Sequence, residues 1–581
     1  MPSNPITYRV ELHDPHAHQF RVTLTIPHPA AVQRLSLPVW IPGSYMVREF
    51  ARHLSRLEAS QGAHPAAPVQ LDKTSWQVAT TGRAALVVSY LVYAFDTSVR
   101  TAFLDAERGF FNGTSLFLRV EGREAEPHRI VFAALPRGWS VATAMHEDGA
   151  RAYRARDYDE LVDHPFELGR FWKGDFSAQD VTHEFVVAGA WPGFDGVRLL
   201  ADAKRICETQ IAFWHGDRKP AAPFDRYVFL LHAVDDGYGG LEHRASTALL
   251  ARRRDLPQQG VSVLTEGYVT LLGLISHEYF HTWNVKRLKP AEFARIDYTR
   301  ENYTALLWFF EGFTSYYDDL LLLRAGLIDA PRYLGLVAKT INGVAATPGR
   351  AVQSVAEASF DAWVKYYRSD ENTPNATVSY YNKGSLVALA LDLTLRREGK
   401  GTLDDVLRRL WREHAEPGEG ALDEARIGAA LQAVGGRSFA RELAAWVHGV
   451  GELPLASLWE PFGIEVRRDK AGFTAALGLR LTEGAGAVRV THVLAASPAA
   501  RAGVAAGDEL LAVDGWRVRR LDEAQQWLAP GTAFELLAVR DQRVLRLTLQ
   551  PDARTTPSVT LQAATRALRA AALARRAWLG A

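Results

Sequence analysis

Two histidines and a glutamate in "LISHEYFHTWN" (Leu274 to Asn284) have the types and spacing to do chemistry together. On a helix, His277 and His281 lie one turn apart on one face, so both imidazoles can reach a single ion. Glu278 is rotated by about 100° from His277, which aims its carboxylate at a water beside that ion and not at the ion itself. The plain alternative is an amphipathic helix with three polar positions. "LLGLIS" ahead of the motif is apolar, however, so the helix is expected to be mostly buried, and a buried His-Glu-His cluster needs partners. Catalytic zinc takes three protein ligands and leaves one position open. Glu311, in "WFFEGFTSYY", is the best third candidate, because an unpaired carboxylate inside so apolar a segment would cost several kcal/mol. The competing explanation for Glu311 is a buried pairing with Arg or Lys.

These residues need elements to position them. The first part of the chain reads as strands: "YRVEL", "FRVTLTI", "RLSLPVW", "ALVVSYLVYAF" and "HRIVFAAL" are short β-branched and aromatic runs separated by Pro, Gly or Asp. A β-sandwich is expected over residues 1–175, with a Pro-Gly turn in "WIPGSYMVREF" breaking its rhythm. From about Val181 strands and helices mix. A helix is expected from Tyr268 to Asn284, and another, central and buried, from Asn302 to Leu323. "GTLDDVLRRLWREH" and "LDEARIGAALQAV" have helical spacing and start signals. A final β-rich unit contains "SPAARAGVAAGDELLAVDG", and the Ala/Arg-rich "LQAATRALRAAALARRAWLGA" after it is expected to be helical.

Composition narrows the function classes. With 67 Lys+Arg against 66 Asp+Glu in 581 residues, no global field draws in nucleic acid or an anionic membrane. The single cysteine, Cys207, excludes an internal disulfide framework, fits a reducing compartment and leaves metal binding to His, Asp and Glu. No basic-then-apolar start and no run of 18 apolar residues is apparent, so a cytoplasmic enzyme without a membrane span is expected. On the same ground "NGT" at Asn112 is a glycosylation pattern without consequence.

A His-His-Glu set resembles the gluzincins, the thermolysin-like metallopeptidases, although the distance from His281 to Glu311 is longer than in the best-known members. "GYGGLEH" (Gly237 to His243) resembles the aminopeptidase strand that ends in an amine-binding glutamate, which implies Glu242 in that role and Gly239 and Gly240 in substrate binding. "SYYNKGS" (Ser379 to Ser385) resembles a Tyr-x-Lys-Gly element whose tyrosine stabilises the oxyanion, which implies Tyr381, with Tyr380 as the substitute. Together with "LPVWIPGSYMVREFARH", "AFDTSVRTAFLDAERGFFNGTSLF", "GGLEHRAST", "HEYFHTWNVKRLKP" and the C-terminal unit, the chain is similar to the PDZ-bearing glycyl aminopeptidases, peptidase family sixty-one of the gluzincin clan.

That resemblance implies an α+β multidomain fold: an N-terminal β-sandwich (1–175), a thermolysin-like catalytic domain with a helical lobe (176–466), a PDZ-like domain (467–552) and a helical tail (553–581). It implies one zinc ion on His277, His281 and Glu311, with Glu278 as base, and removal of N-terminal Gly or Ala from peptides. In the PDZ-like unit, "LGLRL" (Leu477 to Leu481) could receive a peptide C-terminus beside the helix "LDEAQQWL", or the unit could simply pack on the peptidase lobe. Arg566, Arg569, Arg575 and Arg576 are expected on a surface helix packed on the body, in preference to a membrane-surface helix. Two other classes compete. An inactive peptidase lobe serving a PDZ-based binding protein is opposed by the intact Glu278 and ligand set. A zinc endopeptidase is opposed by Glu242, which would block chains extending past a free amine.

Overall fold

Strict alternation in "QFRVTLTI" places Phe20, Val22, Leu24 and Ile26 on one face of a strand, and all four are buried. This strand, Gln19–Ile26, lies between Ile6–Asp14 and Leu86–Tyr93 in an eight-stranded sheet of the first ~170 residues; two four-stranded sheets accompany it. The sheets bury a shared core around Tyr8, Phe20, Val88, Phe111 and Phe117. This is the β-rich N-terminal domain expected from the sequence. The computed structural model describes residues 4–216, 222–416, 418, 420–484, 486–552 and 557–580. The chain divides into two units, Met1–Tyr303 with Leu410–Leu422, and Thr304–Arg409 with Asp423–Ala581.

In the first unit a five-stranded sheet follows the sandwich. Its order is Trp172–Ala178, Val181–Ala188, Arg226–Val234, Ser246–Arg252, Gly239–Glu242. "RYVFLLHAV" is apolar throughout because this central strand is parallel to both neighbours and covered on both faces. The edge strand Gly239–Glu242 runs antiparallel to Ser246–Arg252. Helices Gly196–His215 and Glu266–Phe280 are started by side-chain caps: Asp195 accepts from the Arg198 N–H and Thr265 from the Tyr268 N–H.

The motif helix stops at Phe280, short of the expected Asn284. Its last hydrogen bonds tighten to three-residue spacing, from Thr282 N–H to Tyr279 O (3.1 Å) and from Trp283 N–H to Phe280 O (3.1 Å). His281 is the C-cap with φ −59°, so it keeps helical backbone and the one-turn spacing from His277.

The second unit is built on two apolar helices, Leu307–Arg324 and Asn382–Glu398. The first begins at Leu307, later than the expected Asn302. The N–H of Trp308, in its first turn, donates to Ser359 Oγ (2.9 Å), a distant partner that no local cap signal announces. The two helices cross where Gly312 meets Gly384: a Cβ on Gly312 would stand 2.6 Å from the Gly384 Cα.

The PDZ sheet runs in the order Leu479–Gly484, Ala487–Val493, Glu509–Val513, Phe534–Arg540, Arg543–Leu549 around Val490, Leu510 and Leu536. Asn375, between the two catalytic-lobe helices, holds this domain by donating to Val493 O (2.9 Å) and accepting from Ala495 N–H (2.8 Å). The expected all-helical ending needs correction. Leu561 to Ala563 belong to a strand, Ser558–Ala563, paired with Ile464–Asp469, and the helix is only Arg569–Leu579. Asn342 fixes that strand by bonding the Val559 N–H and C=O at 2.8 Å each. Trp578, fully buried, then docks the helix by donating to Tyr316 Oη (3.0 Å), as expected of a helix packed on the body. The expected boundary at 552/553 adjoins residues 553–556, outside the described residues.

Candidate active site

The edge strand Gly239–Glu242 and the motif helix meet without side chains between them. A Cβ on Gly240 would lie 2.0 Å from Glu278 Oε1, so the Glu278 carboxylate rests directly against the strand backbone. Glu242, closing the same strand, is 4% exposed, Glu278 5% and His281 2%. One candidate ligand atom from each of these three residues lies within 4.8 Å of those of the other two. Two carboxylates and an imidazole thus share one small buried space.

The histidines are oriented for coordination. His281 Nδ1 lies 2.8 Å from the Asn284 carbonyl, which can only accept, so Nδ1 carries the proton and Nε2 presents its lone pair. The His277 ring is perpendicular to it with centroids 4.7 Å apart. On the opposite face of the helix Tyr279 bonds His183 Nε2 (2.8 Å), while Gln210 donates to Ser276 O (2.8 Å). Burial pushes His183 down to about 4, so it stays neutral and serves as a fixed strut. The donor set, a pair of imidazoles on one helix face, suits a borderline ion such as zinc.

Beyond Glu242 a cavity of about 130 Å3 is lined by Gly43, Glu242, Lys289, Phe293 and Tyr298 among others. At its side Asp163 holds the following residues in place: Lys286 Nζ at 2.7 Å, His243 Nδ1 at 3.4 Å and the Arg244 N–H at 2.9 Å. Burial opposes ionisation of Asp163, but Lys286 and His243 outweigh it and hold its carboxyl well below the usual range.

In the second unit Glu311 is 2% exposed in its apolar helix. Tyr381, just before helix Asn382–Glu398, is half-buried; desolvation first, and the Glu311 carboxylate second, push its phenol well above the usual value. The tyrosine is therefore held as a neutral O–H donor beside an acid. Tyr380 stacks on it with centroids 4.8 Å apart. The glycine of the Tyr-x-Lys-Gly element, Gly384, is the helix-crossing residue described above, and Lys383 Nζ donates to Arg350 O (3.3 Å).

The expected residues thus gather as two sets, Glu242, Glu278, His277 and His281 in the first unit and Glu311 with Tyr381 in the second. Sequence reasoning passed over two others. Arg100, from the sandwich, donates to Gly240 O (3.1 Å), and Gly43 presses on Glu242. Both lie in quoted motifs, but nothing in their spacing tied them to the strand. In the PDZ unit, the N–H groups of Leu477 and Gly478 already donate to Phe473 O and Ala475 O, at 3.0 Å each.

Among the described residues no helix is long and apolar enough to cross a membrane. The models of the peptidase M61 N-terminal domain, of the M61 glycyl aminopeptidase and of the PDZ domain match residues 7–170, 270–387 and 489–540. Among solved structures, an aminopeptidase N family protein from Idiomarina loihiensis is 36% identical over 99% of this chain and 100% of its own, with a TM-score of 0.93. An M1 zinc metallopeptidase from Deinococcus radiodurans is 16% identical over 78% of this chain and 95% of its own, with a TM-score of 0.47. Comparison with curated proteins finds no match.

Proposed function

Because the chain belongs to the M61 glycyl aminopeptidase family and is a metallo-aminopeptidase, we propose that it removes Gly or Ala from the free N-terminus of short peptides, using one zinc ion held by His277, His281 and Glu311. Bound there, zinc would supply a Lewis acid that polarises the scissile carbonyl and acidifies a water. The observation that carries the reading is the cluster of Glu242, Glu278 and His281 within 4.8 Å, which supports two carboxylates with different tasks in one place.

Each side chain then has one task. Glu242 binds the α-ammonium group at the end of the edge strand, so a chain continuing past that amine has no room. Gly239 and Gly240 offer backbone along which the substrate lies extended. Glu278 takes a proton from the attacking water on its carboxylate and passes it to the departing amine. Tyr381 Oη donates to the tetrahedral oxyanion, with Tyr380 stacked behind it. The buried Cys207, the single cysteine, supports action in a reducing compartment such as the cytoplasm.

The test is Glu278→Gln. It keeps the shape and removes the base, so the variant should bind zinc at the parent's stoichiometry and lose nearly all turnover of a glycyl peptide. Substantial remaining turnover would show that the proton moves by another group.

A further inference from the structure

We propose that Gly43, in the sandwich turn "WIPGS", is a positioning residue that fixes the Glu242 carboxylate and thereby the place where a substrate's ammonium group binds. The proposal rests on the ammonium role given to Glu242 above. A Cβ on Gly43 would lie 2.4 Å from Glu242 Oε1 and 2.6 Å from Oε2, inside any real contact, and the backbone there has φ +94°, open chiefly to glycine. So the turn's backbone forms a wall against both carboxylate oxygens.

The turn cannot retreat cheaply, so the carboxylate is the side of the contact that must move. The turn is tied by Val39 N–H to Tyr298 O (2.8 Å), by Trp40 Nε1–H to Asp297 O (2.8 Å) and by Arg48 Nη2 to Ser44 Oγ (2.6 Å). On the other side Glu242 sits in strand register opposite Thr247, whose hydroxyl donates to Leu241 O (3.0 Å). Its carboxylate already shares a 4.8 Å cluster with Glu278 and His281. An added methyl at Gly43 therefore displaces the carboxylate from the position where it meets the ammonium.

The experiment compares four metal-loaded proteins: parent, Gly43→Ala, Glu242→Asp and the double variant. Thermal midpoint and the KM and kcat for a glycyl dipeptide amide are read in each. Gly43→Ala should lower the midpoint and raise KM by about tenfold or more, with a smaller effect on kcat. Glu242→Asp withdraws the carboxylate by one methylene, so the double variant should recover part of both losses. Backbone strain from alanine at positive φ is common to both backgrounds and cancels in the cycle. Additive effects, or a Gly43→Ala variant with parental KM, would overturn the proposal. If Gly43→Ala is insoluble, recovery of solubility in the double variant supports the contact, and insolubility of both overturns it by assigning Gly43 to the turn alone. Parental cleavage of the N-acetylated peptide as fast as the free one would instead remove the role of Glu242, while the midpoint cycle reports the Gly43 contact without reference to activity.

Discussion

Glu242 and Glu278 are the same functional group, buried to the same degree and close together, yet the mechanism we propose asks one to stay charged against an ammonium and the other to pick up and release a proton. Their separate contacts divide the work: Glu242 abuts the Gly43 turn at the strand's end, and Glu278 abuts Gly240 on the helix side. Glu242→Gln keeps the shape without the charge, so it should raise KM for free-amine peptides and reduce their advantage over N-acetylated ones. Steady-state kinetics on the matched pair of substrates checks this, and an unchanged ratio would contradict it. Tyr381→Phe removes the proposed oxyanion donor and should lower kcat by about 10²–10³-fold with metal content unchanged. The same measurement on Tyr380→Phe should show a much smaller effect, which separates Tyr381 from the neighbour that the sequence kept as its substitute. The raised Tyr381 phenol beside Glu311 favours Tyr381.

At the level of elements, what was legible depended on how local its cause is. "QFRVTLTI" declares its strand because the buried face repeats every two residues, and "LLGLISHEYF" declares its helix because burial and the His spacing agree. Ends were less legible. The Leu307 helix start depends on Ser359, and the strand Ser558–Ala563 depends on Asn342 and on Ile464–Asp469; none of these partners is near in sequence. "LQAATRAL" has high helix propensity, but a clamped strand partner overrode it for its first three residues. The one-turn spacing of His277 and His281 was readable because both ride on one helix. The contacts of Gly43 and Arg100 were unreadable, because their partners, Glu242 and Gly240, lie on a strand distant in sequence. Gly384 illustrates a second kind of reading: the glycine of the Tyr-x-Lys-Gly element has a packing cause, since a Cβ there would stand 2.7 Å from Trp308 O and 3.0 Å from Gly312 Cα. Gly384→Ala should force the two helices apart and destabilise the protein by about 1–3 kcal/mol, measurable by denaturant unfolding. A variant as stable as the parent would show that the crossing can relax.

Across the whole molecule, near-neutral charge and one cysteine exclude partners more than they identify a substrate, and identification comes from the site and the family. Acid response is a property of the whole chain. Burial pushes His128, His164 and His183 down to about 4 and His232 to about 3, from an unfolded value near 6.5. Between those limits the unfolded chain binds protons that the fold refuses, so stability is complete above pH about 6.5 and falls as pH drops toward 4. Thermal midpoints should decline steadily from pH 7 to 4.5, and a flat profile would contradict these histidines being buried and neutral. The central claim is that this metallo-aminopeptidase reads a free chain end and prefers a small first residue. The most direct measurement is hydrolysis of Gly-, Ala- and Leu-initiated peptides, each free and N-acetylated, by zinc-loaded protein. The account predicts release of glycine and alanine ahead of leucine from free peptides and no cleavage of the acetylated set. Cleavage of acetylated peptides at comparable rates, or at internal bonds, would contradict it.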